Sequence, residues 1–330
     1  MVERDKIKNI LVNQKGQDIR VDVHTHCGFD HFNIIRRRYP TSQSVKDLVF
    51  KLEATGIDYA VSFQCANSTY YFDFRELPRK SHKLIPLPAE SFPYEFANRQ
   101  LFYEVSLFGD DRILPFATIL PKYDEGKQVE SLSEYAKKNC LFGLKLHTLA
   151  TLTYVKDLLG SAFMELATNY SLPVMIHSGP DEYSRPEKII ELAQSYPKVR
   201  FCIAHAARFE QSAFDMFSGN RNPNVFFDTS PFLSLCSLTP LDIQRGVGGI
   251  KLDLPYGNPR DALIKLYSFA SENLVWGTDE PWTTITDDTQ QGILAKFGYR
   301  DEVDLLNSLP KEIKIAIAND NIQKFLFGDE

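Results

Sequence analysis

The sequence predicts an α/β protein built as a closed but distorted (β/α)8 TIM barrel, with an insertion after its second strand and a C-terminal helix. Three observations carry that expectation. Short β-rich segments alternate along the chain with longer stretches of helical periodicity. There are eight such β-rich segments. They are apolar nearly throughout, as strands covered on both faces are. Strict alternation implies parallel strands joined by right-handed crossovers, and eight units favour closure over an open doubly wound sheet.

Taken in order, IRVDVHT is followed by the amphipathic SVKDLVFKLEATG and then by IDYAVSFQ, a first βαβ unit. The next strands are RILPFATILP, CLFGLKLHT, LPVMIHSG, VRFCIAHAA, NVFFDTS and NLVWGTDEPW. Helical spacing predicts helices in VESLSEYAKKN, TYVKDLLGSAFMELATNY, RPEKIIELAQSYP and RDALIKLYSFASE. No repeat, low-complexity tract or Pro/Gly/Ser-rich linker interrupts the series, so residues 1–330 read as one domain. The connection from Cys65 to Asp111 is longer than a usual crossover and dense in aromatics and prolines. An insertion after a barrel strand sits over the C-terminal face, which makes this segment a candidate lid or pocket wall, with an ordered surface excursion as the alternative.

Composition narrows the function classes. The chain is 43% hydrophobic and 24% charged, as soluble globular proteins are, and its formal charge of −6 argues against a non-specific nucleic-acid binder. Arg36, Arg37 and Arg38 form the only dense basic run and read as a solvated face or pocket rim. There is no apolar run of membrane-spanning length and no signal-peptide core, so a cytoplasmic location is expected. Five cysteines without a CxxC pair fit neither a disulfide framework nor a thiolate zinc site. Cys27 alternates away from its histidine neighbours and reads as a packed residue. A small-molecule substrate is the expected partner, and a homodimer is left open.

The histidines give the sharpest signal. His24 and His26 end the first strand, His147 the fourth, His177 the fifth and His205 the sixth; of the seven, His31 and His82 lie elsewhere. Side chains two apart on a strand share a face, so His24 and His26 point together. C-terminal strand ends ring the active site of a barrel, and five imidazoles on one rim are costly to bury unless satisfied, so metal ligation is the natural explanation. Asp279, just past the last strand, is by itself a turn residue. In that company it becomes a candidate ligand and proton acceptor.

The order HxH after strand one, His after strand five, His after strand six and Asp after strand eight resembles the amidohydrolase superfamily. The likeness is to its amidohydrolase-related (amidohydrolase 2) branch of metal-dependent hydrolases and non-oxidative decarboxylases. DVHTH, TGIDYAV, ILPFATILP, FGLKLH, PVMIHSG, IAHAA, VWGTDEPW and the closing IAIANDNIQKFLFG resemble that family's blocks in order. The resemblance implies that His24, His26, His177 and Asp279 are ligands of one divalent metal, zinc with manganese as the alternative. It implies that His205 is the histidine beside the metal that polarises the substrate or binds a second metal. Some superfamily members carry a carboxylated lysine bridging two metals where Lys145 stands, but in this branch that lysine is generally not a bridge, so one metal is expected. Glu280 departs from the family, where many relatives carry tyrosine or another residue.

Such a site acidifies water from a pKa of roughly 15.7 to roughly 7. Asp279 is then expected to orient the water and shuttle its proton, and His205 to stabilise the developing oxyanion. Lys145, His147, Arg185, Arg208 and Trp282 are candidate substrate contacts, the two arginines as planar carboxylate clamps. Tyr70, Tyr71, Phe72 and Phe74 of the insertion are candidates for an aromatic wall. The expected activity is hydrolysis of a small carboxylic ester, lactone or amide. Non-oxidative decarboxylation of a small aromatic or enoic acid is the alternative, and a non-catalytic metal-binding barrel ranks behind both.

Overall fold

All eight apolar segments become strands: β1 (Val21–Phe29), β2 (Tyr59–Gln64), β3 (Ile113–Thr118), β4 (Gly143–Leu146), β5 (Val174–Ile176), β6 (Phe201–Ile203), β7 (Val225–Asp228) and β8 (Leu274–Val275). The structure is a computed structural model that describes residues 2–30, 33, 38–65, 70–72, 84–86, 93–108, 111–220, 222–287 and 295–328. Arg36, Arg37, Phe74, His31 and His82 lie outside the described residues, as do the side chains of Arg38, Tyr70, Tyr71 and Phe72.

Each strand pairs in parallel with its sequence neighbour from β1 to β8. The chain just past β8 then meets β1. Val23 N–H donates to the Trp276 carbonyl (3.1 Å), Asp279 N–H to that of His24 (2.8 Å) and His26 N–H to that of Glu280 (2.6 Å). These bonds close the barrel. Gly277 permits the approach, because a Cβ there would lie 2.9 Å from the His24 Cβ. Asp22 reinforces the seam: its carboxylate accepts from His24 N–H (3.0 Å), Thr278 N–H (3.1 Å) and the Thr278 hydroxyl (2.7 Å).

The outer layer follows the amphipathic segments. After α1 (Arg4–Val12), helix α2 (Val45–Thr55) opens with a Ser44–Asp47 capping box and ends at Gly56, whose φ of 70° is the left-handed cap that glycine adopts without penalty. The stretch from Cys65 to Asp111, expected as an insertion, also holds a crossover helix, α3 (Pro93–Leu107), packed on β2 and β3. Its buried residues Tyr94, Asn98, Leu101, Phe102 and Val105 recur at helical spacing. Asn98 bonds both backbone groups of Thr118 at the end of β3.

Further along come α4 (Glu125–Lys137), α5 (Ala162–Asn169), α6 (Pro186–Ser195), α7 (Gln211–Asn220), α8 (Phe232–Arg245) and α9 (Pro259–Phe269). The single helix expected over TYVKDLLGSAFMELATNY is instead a 3-10 turn, Val155–Leu158, followed by α5. The break falls at Gly160, where φ is 73°. Helices α10 (Tyr299–Asn307) and α11 (Asn321–Phe327) complete the shell. The terminal segment is core: Ile317, Ile322, Phe325 and Leu326 are buried, and the Ile317 carbonyl accepts from Trp276 N–H beside β8 (2.8 Å).

Helix α10 carries an unusual acid. Glu302 is fully buried, accepts from Leu233 N–H at the start of α8 (2.9 Å), and leaves its second oxygen without a partner. Burial, aided by Asp22, raises its pKa from 4.5 to about 8. The protonated acid therefore stabilises the fold fully below the unfolded value, and that contribution is lost as pH rises toward the folded one. Glu302→Gln keeps the hydrogen bond and removes the ionisation. Its thermal midpoint should fall less steeply than the parent's between about pH 5 and about pH 8; parallel curves would refute a buried neutral acid.

Candidate metal centre

The seam between β1 and the segment after β8 brings His24, His26 and Asp279 together. His24 and His26 share a face, their ring centroids 5.3 Å apart, and both Nε2 atoms converge on Asp279 Oδ1 at 3.2 and 3.1 Å. Cys27 faces away and accepts from the Ser62 hydroxyl at 3.2 Å, and burial pushes its thiol up to about 12. Asp279 sits at φ 66°, a left-handed conformation that aspartate tolerates better than most residues, and the turn is held by Trp282 N–H donating to its carbonyl (2.7 Å).

The partners fix the imidazole tautomers. His24 Nδ1 faces Asp228 Oδ2 at 2.9 Å, so it carries the proton and leaves a lone pair on Nε2. His26 Nδ1 faces the Gln64 carbonyl at 3.4 Å; a carbonyl only accepts, so Nε2 is again the unprotonated atom. Three acceptors thus converge within hydrogen-bond distance. One proton can satisfy one of the two imidazole–carboxylate contacts, whereas a single cation satisfies all three atoms. That donor set, two neutral nitrogens and a carboxylate oxygen, fits zinc or a similar divalent ion.

Electrostatics support the arrangement. Although burial opposes it, the neighbouring His24 and His26 hold the Asp279 carboxyl well below its usual range. Burial lowers His26 and His205 to about 4 and holds His147 and His177 well below their usual range, so these rings are neutral. His24 is the exception: against burial and Lys145, the flanking carboxylates Asp228 and Asp279 raise it.

The other rim residues form a second line. His205 Nδ1–H donates to the Ser230 carbonyl (2.8 Å), so its Nε2 accepts from His177 Nδ1–H (2.9 Å), and the lone pair of His177 is left on Nε2. His177 therefore stands against His205, outside the cluster of ligand atoms formed by His24, His26 and Asp279. His147 stacks on His177 with centroids 4.0 Å apart. It accepts from Ala150 N–H through Nδ1 (3.2 Å), which leaves its proton on Nε2. His205 opens a left-handed turn, with positive φ from His205 to Phe209, at a cost of roughly 1–2 kcal/mol per residue.

Lys145 is buried with Nζ 3.4 Å from His24 Nε2 and 4.4 Å from the Phe63 ring centroid, and burial lowers it to about 8. Trp282 lies 6.1 Å from the His26 ring. The two expected carboxylate clamps are placed differently. Arg208 is engaged by Asp242 of α8 at 3.0 Å, and Arg185 lies exposed on a separate cavity of about 300 Å³ beside Glu187 and Glu210. Asp228 was not singled out from the sequence. It ends β7 at the same rim position as the histidines, and a carboxylate closing an apolar strand was the available signal. Despite burial, His24 holds it down to about 2, and it also binds Ser230 N–H (2.8 Å), which marks it as the residue that orients His24.

The amidohydrolase family model matches residues 21–328. The chain belongs to that family. Among solved structures, this amidohydrolase is similar to a 5-carboxyvanillate decarboxylase from Sphingomonas paucimobilis, at 13% identity and TM-score 0.60, over 93% of this chain and 98% of that one. It is also similar to a probable 2-pyrone-4,6-dicarboxylic acid hydrolase from Acinetobacter baumannii with citric acid bound, at 15% identity and TM-score 0.56, over 94% and 99%. A 2,6-dihydroxybenzoate decarboxylase complexed with 2,6-dihydroxybenzoate aligns at 13% identity and TM-score 0.59, over 93% and 98%. At these identities the likeness establishes the fold. No curated protein sequence matches the amidohydrolase.

Zinc affinity, read against a chromophoric chelator, tests the site. His24→Ala or His26→Ala removes a candidate ligand and should weaken binding more than Asp228→Asn, which removes only an orienting partner and should cost roughly 10- to 100-fold. A His24→Ala variant with the parent's affinity would place the metal elsewhere.

Proposed function

We propose that this amidohydrolase is a metal-dependent hydrolase of a small carboxylic ester, lactone or amide. One divalent metal, zinc by preference, is held by His24, His26, Asp279 and His177. The observation that carries the reading is the convergence of His24 Nε2 and His26 Nε2 on Asp279 Oδ1, at 3.2 and 3.1 Å. His177 is included because its tautomer leaves the Nε2 lone pair available. Five unpaired, buried thiols fit a reducing, cytoplasmic setting.

When bound, the metal lowers the pKa of a water toward neutrality and polarises the substrate's carbonyl. Asp279, which starts ionised, orients the attacking water, takes its proton and delivers it to the leaving group. His205 begins with both nitrogens engaged and neutral, so it positions His177 rather than donating to an oxyanion. His147 keeps an Nε2–H and is the ring suited to donate to a substrate oxygen. Lys145 adds positive charge beside His24.

A second reading, decarboxylation of a small aromatic acid, is favoured by the decarboxylases among the similar structures. Metal-loaded protein should hydrolyse members of an ester and lactone panel, and Asp279→Asn should lose at least roughly 100-fold in kcat, the scale of one acid–base group. Full activity in that variant refutes the mechanism. Carbon dioxide release from hydroxybenzoate-type acids without any hydrolysis would transfer the assignment to the second reading.

A further inference from the structure

The structure assigns a positioning role to three residues on the outside of the barrel wall: we infer that Lys51, Glu280 and Gln43 form a clamp that sets the spacing between His26 and Asp279. This rests on the reading that those residues hold a metal.

The clamp is a continuous chain of polar contacts. Glu280, the residue after Asp279, is buried and ion-paired with Lys51 Nζ, and its other oxygen accepts from the Thr283 hydroxyl at 2.7 Å. Lys51 Nζ also donates to Gln43 Oε1 (2.6 Å), and Gln43 Nε2 donates to the His26 carbonyl (2.8 Å). The His26 N–H in turn donates to the Glu280 carbonyl (2.6 Å). Both backbone polar groups of His26 are therefore held by members of the clamp, one from each side. Asp279 is fixed at the same time, because it is peptide-bonded to Glu280.

Nothing in the barrel architecture requires a charge here. A buried ion pair costs desolvation and is a weak source of stability, but its directional contacts fix one geometry. Metal ligation is the property that depends most on such spacing, since ligands must converge within a few tenths of an ångström. Lys51 comes from α2 and reaches the seam from outside, across a solvent-open cavity of about 930 Å³ that Gln43, Lys51, Glu280 and Pro281 help to line. Its ammonium stays partly hydrated, so shortening or neutralising it opens no sealed void.

The test compares the parent, Lys51→Met, Lys51→Arg, the double variant Lys51→Met/Glu280→Gln and Gln43→Ala. It reads three quantities: zinc affinity by chelator competition, the visible spectrum of the cobalt(II)-substituted protein, and the thermal midpoint of the metal-free protein. Lys51→Met strands a buried carboxylate and can fail to fold. The double variant removes both charges with little change of shape, so it keeps the test open. The double variant and Gln43→Ala should bind zinc roughly 10- to 100-fold more weakly, the range for lost outer contacts. Their cobalt spectra should shift, while Lys51→Arg keeps the parent's values.

If the variants lower the metal-free midpoint but leave zinc affinity and cobalt spectrum unchanged, the residues are merely structural and the clamp is overturned. His24→Ala serves as the reference. If it binds zinc like the parent, the metal reading itself fails and the clamp falls with it; if it alone loses affinity, only the clamp fails.

Discussion

The structure depends on the hydrogen bonds that join the first strand to the chain just past the last. Val23, Asp279 and His26 each donate across that seam, and the same segments carry His24, His26 and Asp279, whose side-chain atoms converge. Closing the barrel and assembling this cluster thus go together. The constraint explains residues that seem incidental in the sequence. Gly277 is there because a side chain would strike His24, and Asp22 is there because its carboxylate joins His24 N–H to Thr278.

Around the seam, the imidazoles are wired by groups that only accept. Asp228, the Gln64 carbonyl and the Ser230 carbonyl each take one ring proton, so the lone pairs of His24, His26 and His205 fall on Nε2. In a buried site this determines function more than residue identity does, because a ring with the other tautomer presents a proton where a lone pair is needed. The left-handed turn from His205 to Phe209 is the conformational cost of aiming that ring, and the small buried residues Ala206 and Ala207 let the turn pack against the barrel.

Much of this was legible in the sequence, for a physical reason. Parallel barrel strands are buried on both faces, so each appears as an apolar run, and functional groups sit where the run stops. His24, His26 and Asp279 could be found that way. What could not be read was orientation. Nothing in PVMIHSG states that His177 turns to His205, and nothing in HAARFE states that Arg208 is engaged by Asp242, because side-chain direction is set by partners distant in sequence. Helix α3 has regular burial spacing, but the aromatics and prolines around it in the sequence make the segment read as a loop. Glu280 attracted notice only as a departure from relatives, and its partners come from α2 and the edge beside β1.

The order in which protons are needed separates the two reactions that the donor set can serve. Hydrolysis begins by taking a proton from water and ends by giving one to the leaving group, so its key carboxylate must start ionised. Decarboxylation ends by protonating carbon, so it needs a group that starts protonated. Asp279 is held far below its usual value by the imidazoles around it, and it begins without a proton. Lys145, near 8, begins with one at neutral pH, but it stands beside His24, and its positive charge opposes protonation of that ring. The ionised Asp279 suits the first step of hydrolysis, and the proton on Lys145 suits the last step of decarboxylation, so the same cluster serves either reaction.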